Sequence, residues 1–173
     1  DRDAPPIEEC LRDDLRPAKP ELTDTRCQVL AFRDAANDRL DGFMAYFGCH
    51  PVVCCSTTRY IHGDFVGVAM NLLERENPGA VGLFLQGAQG DVNSCVVHKP
   101  EPEALLALDI VASRLANAVR AGLREAAPAP VEILRYASRQ QPFTSRLLSR
   151  ERLREWRAEQ EAIVGADTAT DDD

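Results

Sequence analysis

The chain has 173 residues, a formal net charge of −8 and an apolar share of 45%, enough for one domain with a core of its own. The negative balance removes the usual electrostatic basis for nucleic-acid binding. No apolar run approaches the roughly 18 residues that span a bilayer. The sequence starts at Asp1 without a methionine or a charged-then-apolar leader, as expected of a processed, trimmed or internal segment, and the compartment stays open.

In chain order, residues 1–21 carry Pro5, Pro6, Pro17 and Pro20 among many charges and read as irregular lead-in, with a short helical turn around Glu8 to Leu15. Cys27 to Phe32 reads as a first strand. Asp34, Asn37 and Asp38 make a turn-forming cluster, and Leu40 to Cys49 reads as a second strand. Phe43 to Phe47 is unbroken by charge, a pattern expected of a strand buried on both faces. The two strands should form a hairpin running into the core.

His50-Pro51 ends that strand, since proline cannot donate to the ladder. A loop from Cys54 to His62 follows, then a helix from Gly63-Asp64 to about Glu76 with Asp64 as N-cap. Asn77-Pro78-Gly79 stops that helix. Ala80 to Gln86 is another wholly apolar strand, followed directly by the glycine-rich stretch Gly87 to Asp91. A long helix from Pro102 to about Ala127 places Leu108, Val111, Leu115, Val119 and Leu123 on one stripe. Val131 to Ala137 reads as a further strand and Ser149 to Ile163 as a charged helix, salt-bridged and solvated. Residues 167–173 read as an acidic, mobile end. Alternation of strands and helices implies an α/β fold, a layered mixed sheet flanked by helices, with 1–173 as one segment.

Six cysteines occur, at positions 10, 27, 49, 54, 55 and 95, with no C-x-x-C pair. Neither a zinc ribbon nor a thioredoxin-like site is signalled. Cys54 and Cys55 are ill-suited to bond each other, and several others sit in apolar runs where a thiol packs as a small hydrophobe.

Three features fall at the ends of apolar strands, where ligands of open α/β sheets collect. In Phe47-Gly48-Cys49-His50-Pro51, a rigid strand fixes the backbone of a histidine, and neutral imidazole is a zinc ligand. Gly48 allows another chain or ligand to approach closely. A structural histidine hydrogen-bonded at the sheet edge is the plainer alternative. In His62-Gly63-Asp64, the carboxylate can orient a metal-bound imidazole or simply cap the helix, and His62 is a ligand, a proton shuttle or a loop residue. In Gln86-Gly87-Ala88-Gln89-Gly90-Asp91-Val92-Asn93-Ser94, glycines after a strand let N–H groups face an anion or oxyanion. The lysine and spacing of a phosphate-binding loop are missing, and a tight structural turn is the alternative.

Taken in order, F-G-C-H-P, H-G-D before a helix and G-L-F-L-Q-G-A-Q-G-D-V-N-S resemble the neutral ceramidases and their bacterial relatives of unassigned substrate. The likeness runs from Cys27 to about Ala127. It implies a zinc-dependent hydrolase of an amide bond, acting on a small or lipid-like amide, with this chain as part of a larger catalytic domain. By the resemblance His50 binds Zn2+. The family's other ligands (an upstream histidine, a later glutamate and a later tyrosine) have no counterpart here. Where the family has G-D-V-S-P-N this chain has Asn93 in the serine place and Ser94 one step later. Asp91, Asn93 and Ser94 are therefore the expected catalytic loop, with Asp91 also able to rigidify it, and Asp64 and His62 support the metal ligand. Rival readings are a hydrolase using Cys49 or Ser94 as nucleophile, a non-catalytic α/β binding module, and a structural zinc site among Cys49, His50, Cys54 and Cys55.

Overall fold

The structure, a computed structural model, describes residues 6–16, 20–54, 57, 59, 61–97, 99–129, 135–144 and 147–164. Its elements are α1 (Ile7–Cys10), β1 (Gln28–Arg33), β2 (Leu40–Phe47), α2 (Asp64–Glu76), β3 (Val81–Gln86), α3 (Glu101–Glu125) and α4 (Arg150–Val164). They fall into two units, residues 1–129 and 130–173. The expected acidic end lies outside the described residues, as do positions 131–134 of the expected fourth strand. Arg135 to Ala137 have no regular structure.

In the first unit a mixed sheet has the order β1-β2-β3. β1 and β2 form the expected antiparallel hairpin. Asp34 and Asp38 build its turn: Asp34 Oδ1 accepts from the Ala36 N–H at 2.7 Å, the Asp38 N–H donates to the Asp34 carbonyl at 2.9 Å, and Asp38 has φ 60°, which aspartate tolerates better than most residues. β3 runs parallel to β2, reached through α2 as a βαβ crossover. Asn77 closes α2 by donating from Nδ2 to the Leu73 carbonyl at 2.8 Å, and Gly79 at φ 92° turns the chain into β3.

Core residues come from alternate strand positions and from helix stripes. Phe43 and Ala45 of β2 are fully buried, with Val29, Ala31, Phe47 and Phe84 packed beside them. Phe65, Ala69 and Leu73 of α2 and Leu108, Leu115, Val119 and Leu123 of α3 close over that face, while Val111 is only partly buried. The alanines Ala104, Ala107, Ala112 and Ala116 are buried as well, which lets α3 lie close to its neighbours. Arg120 locks the two helices with a bidentate pair to Glu76, Nε to Oε2 at 2.8 Å and Nη2 to Oε1 at 2.5 Å.

The expectation that Phe43 to Phe47 is buried on both faces holds for one face only: Phe43 and Ala45 are buried, whereas Met44 and Tyr46 are half-buried. Leu30, Phe32, Val81, Leu83 and Leu85 are exposed, and the pairings Leu30↔Met44, Met44↔Leu83 and Tyr46↔Leu85 put them on one surface. Both α2 and α3 lie on the opposite side.

In the second unit α4 has no buried residue. Ser149 Oγ accepts from the Arg152 N–H at 3.1 Å, which caps the helix start. Arg152–Glu155, Arg152–Glu159 and Arg157–Glu161 pairs run along it, as a solvated charged helix requires. Among the described residues no helix is long and apolar enough to cross a membrane.

Candidate active site

β2 and β3 end side by side, and their parallel pairing resumes past both strand ends. Beyond Phe47↔Gln86, His50 and Asn93 form an isolated parallel bridge, with the His50 N–H donating to the Val92 carbonyl at 2.8 Å. The gap between strand and bridge is stitched by Gln86, whose Nε2 donates to the Cys49 carbonyl at 3.0 Å, and by the Gly87 N–H, which donates to the Phe47 carbonyl at 2.9 Å. A Cβ on Gly48 would meet the Ala88 carbonyl oxygen at 2.7 Å. The close approach expected at Gly48 is therefore made, and the backbone of the glycine-rich loop is what approaches.

The segment after His50 is fixed from α2. Asp64 is only 5% exposed, and its carboxylate accepts from the N–H groups of Val53 at 3.1 Å, Cys54 at 2.8 Å and Phe65 at 2.8 Å. The helix is capped at Gly63 without a side-chain hydrogen bond. Asp64, with φ 52°, is thus the first helical residue and not the N-cap, and its carboxylate serves both the first-turn N–H of Phe65 and the Val53–Cys54 backbone. A non-glycine residue held there carries local strain that its three acceptor contacts offset. The Asp64 N–H in turn donates to His62 Nδ1 at 2.8 Å. That bond makes Nδ1 an acceptor and places the neutral ring's proton on Nε2, so the Cys54 thiol, whose Sγ lies 3.3 Å from Nδ1, meets it as a donor.

The predicted residues thus form two groups. Asp91, Asn93 and Ser94 line a cleft of about 750 Å³, a size suited to a small ligand, and His50 adjoins them through its bridge to Asn93. Asp64 and His62 sit at the start of α2 and act on the backbone after His50. Ser94 is locally engaged: its hydroxyl donates to the Val96 carbonyl and accepts from the Val96 N–H. Among the described residues no hydrogen bond or ion pair engages the side chains of His50, Asp91 or Asn93. Asp91 and Asn93 are exposed on the cleft lip.

Arg12, Arg16 and Arg114 also line this cleft, and the sequence reading did not single them out. Arg114 donates to the Leu11 carbonyl and pairs with Asp13 at 3.1 Å, fastening the lead-in over the loop. Its only sequence signal is an arginine one position from the apolar stripe of α3. Cys49 is buried, which pushes its thiol up to about 11, with Cys95 and Asp64 adding to the rise. It is therefore protonated at neutral pH and a poor nucleophile. Of the four residues considered for a structural zinc site, Cys55 lies outside the described residues.

Comparison with known proteins gives a fold. No family model matches the chain, and no curated protein matches it. A solved structure described as a ceramidase complexed with C2 is similar, with a TM-score of 0.52 and 20% identity over 64% of this chain and 18% of that one. The chain thus has a ceramidase-like fold and spans under a fifth of that structure's length.

Proposed function

We propose that this chain is part of a hydrolase of amide or related carbonyl bonds, with an N-acyl, ceramide-like compound as the substrate class. The observation that carries this reading is the His50–Asn93 bridge, which sets an unengaged imidazole beside a loop whose Asp91 and Asn93 face an open cleft. The ceramidase-like fold supports it.

Zinc belongs to the proposal through the resemblance of the His50 element. Among the described residues no three His, Cys, Asp or Glu side chains gather to hold an ion. They do not make a zinc site by themselves, so His50 would be one ligand and the others would come from beyond them. Zinc in such sites polarises a carbonyl and acidifies water.

The chain's own contribution is orientation and charge stabilisation. The Asn93 amide donates to the substrate carbonyl oxygen as negative charge develops there, the task of an oxyanion-hole donor. Asp91, on the same lip, accepts from the substrate amide N–H or a neighbouring hydroxyl. Ser94 keeps the loop in shape through its bonds to Val96. A Ser94 nucleophile would need a base within hydrogen-bond reach, and among the described residues its hydroxyl contacts only backbone.

The test is hydrolysis of a fluorogenic N-acyl amide by the natural full-length protein, with metal content measured in parallel. Asn93→Ala should lower kcat by about 10²-fold at nearly constant KM, and His50→Ala should remove both turnover and bound zinc. Cys49→Ala should leave turnover in place. Unchanged kcat in both the Asn93 and His50 variants would discard the reading, and zinc retained by His50→Ala would discard the ligand assignment.

A further inference from the structure

The lead-in and the loop that carries Asn93 meet at two cysteines. Cys10, the last residue of α1, is fully buried, and Cys95 follows Ser94 and is half-buried. The Cys10 thiol donates to the Cys95 carbonyl at 3.1 Å, and the Cys95 thiol donates back to the Cys10 carbonyl at 3.2 Å. Reciprocal contacts of this kind hold the two residues face to face, and a disulfide between them requires Cα atoms roughly 4.4–6.8 Å apart. A side-chain rotation at each residue exchanges the two S–H···O contacts for one S–S bond.

The geometry points to Cys10 and Cys95 as a reversible disulfide pair that fastens the lead-in to the cleft loop. Arg12, Leu15 and Arg16, just after Cys10, line the same cleft as Asn93 and Cys95. In the thiol form the lead-in is held there by the thiol contacts and by Arg114, and its four-residue helix has no side-chain cap. Oxidation makes that attachment covalent. The inference concerns the pair itself and stands whether or not the chain is a hydrolase.

The chemistry needs a disulfide oxidant, such as glutathione disulfide. Cys95 is the more exposed partner. Burial pushes its thiol up, while Arg114 pulls against that rise. As thiolate it attacks one sulfur of the oxidant and releases one glutathione thiolate. Cys10, as thiolate, then attacks the Cys95 sulfur of the mixed disulfide and expels the second glutathione. Two protein thiols lose two electrons and two protons, and the oxidant takes up both pairs to become two thiols. Cys49 is the competing partner, since its buried thiol also feels the charge of Cys95.

The experiment incubates the full chain in glutathione buffers from reducing to oxidising, alkylates remaining thiols and maps non-reduced peptides by mass spectrometry. The expected product joins the peptides of Cys10 and Cys95. Because the bond closes a loop between residues 85 positions apart, the oxidised protein should melt about 5–10 °C higher. Cys49→Ala should keep both the linked peptide and the shift, whereas Cys10→Ser and Cys95→Ala should lose both. If Cys10→Ser fails to fold, Cys95→Ala carries the test, since it alters the less buried partner. Full alkylation of both cysteines under oxidising buffer would overturn the pairing. A Cys49–Cys95 linked peptide would overturn it equally.

Discussion

One face of the sheet sets Val29, Ala31, Phe43, Ala45 and Phe84 against α2 and α3, while the other shows Leu30, Phe32, Val81, Leu83 and Leu85 to solvent. The residue types on the two faces are nearly the same. What differs is the layer opposite. On the covered face each side chain leaves water and meets close-packed neighbours, so both transfer and packing terms favour it. On the open face Val81 and Leu83 stay 59% and 51% exposed and contribute little to folding, although a contiguous apolar surface of this kind marks a contact site in soluble proteins. Apolar character in a strand therefore reports readiness for burial, and only the arrangement of layers says which part of it stabilises the fold.

The largest expected effect is on the covered face. Phe43→Ala should cost about 3–5 kcal/mol in urea unfolding, from lost transfer energy plus a cavity. A loss comparable with that of an open-face variant would end the distinction between the faces. Next comes the segment that the core anchors behind His50. Asp64→Ala removes the acceptor that the N–H groups of buried Val53 and half-buried Cys54 use and should cost about 2–4 kcal/mol. Asp64→Asn keeps the shape and one acceptor and should cost distinctly less. Equal losses would show that charge, not backbone satisfaction, is what Asp64 supplies.

A smaller effect belongs to the helix layer and depends on pH. The hydrogen bond from Arg120 holds the Glu76 carboxyl below its ordinary 4.5. The folded value is the lower one, so the pair's contribution is complete above pH 4.5 and is lost as pH falls through the folded value. Wild type should therefore lose stability on acidification more steeply than Glu76→Gln, and parallel curves would show that the pair contributes nothing. Smallest of all is the open face: Leu83→Ser should change unfolding free energy by no more than about 0.5 kcal/mol while lowering the binding of a hydrophobic dye. A loss of several kcal/mol there would mean that the face is covered in solution.

Much of the fold was legible because its signals are local. The Asp34–Asp38 turn, the stop at Asn77-Pro78-Gly79 and the stripe on α3 each follow from neighbours within one or two turns of chain. The order of F-G-C-H-P, H-G-D and the glycine-rich loop was legible as a resemblance, and the structure brings the first and third together at His50 and Asn93. The spacing of Asp64 suits a helix cap. Beside the adjacent Phe65, two of its partners lie 10 and 11 positions upstream, beyond the reach of any local pattern. Arg114 was missed for the same reason, since its partners Leu11 and Asp13 are about a hundred residues away.

The sequence alone determined the strands β1 to β3 and the helices α2 to α4, though not the absence of regular structure at Arg135 to Ala137, because backbone propensity, turn chemistry and periodic apolarity act over a few residues. Of the three features placed at strand ends, His62-Gly63-Asp64 lies at a helix start instead. Tertiary structure alone decided that β3 lies parallel to β2, that both helices choose one face, and that Cys10 faces Cys95 across 85 positions. Those outcomes come from packing and from satisfying buried N–H and C=O groups between distant parts of the chain, which no short stretch of residues specifies.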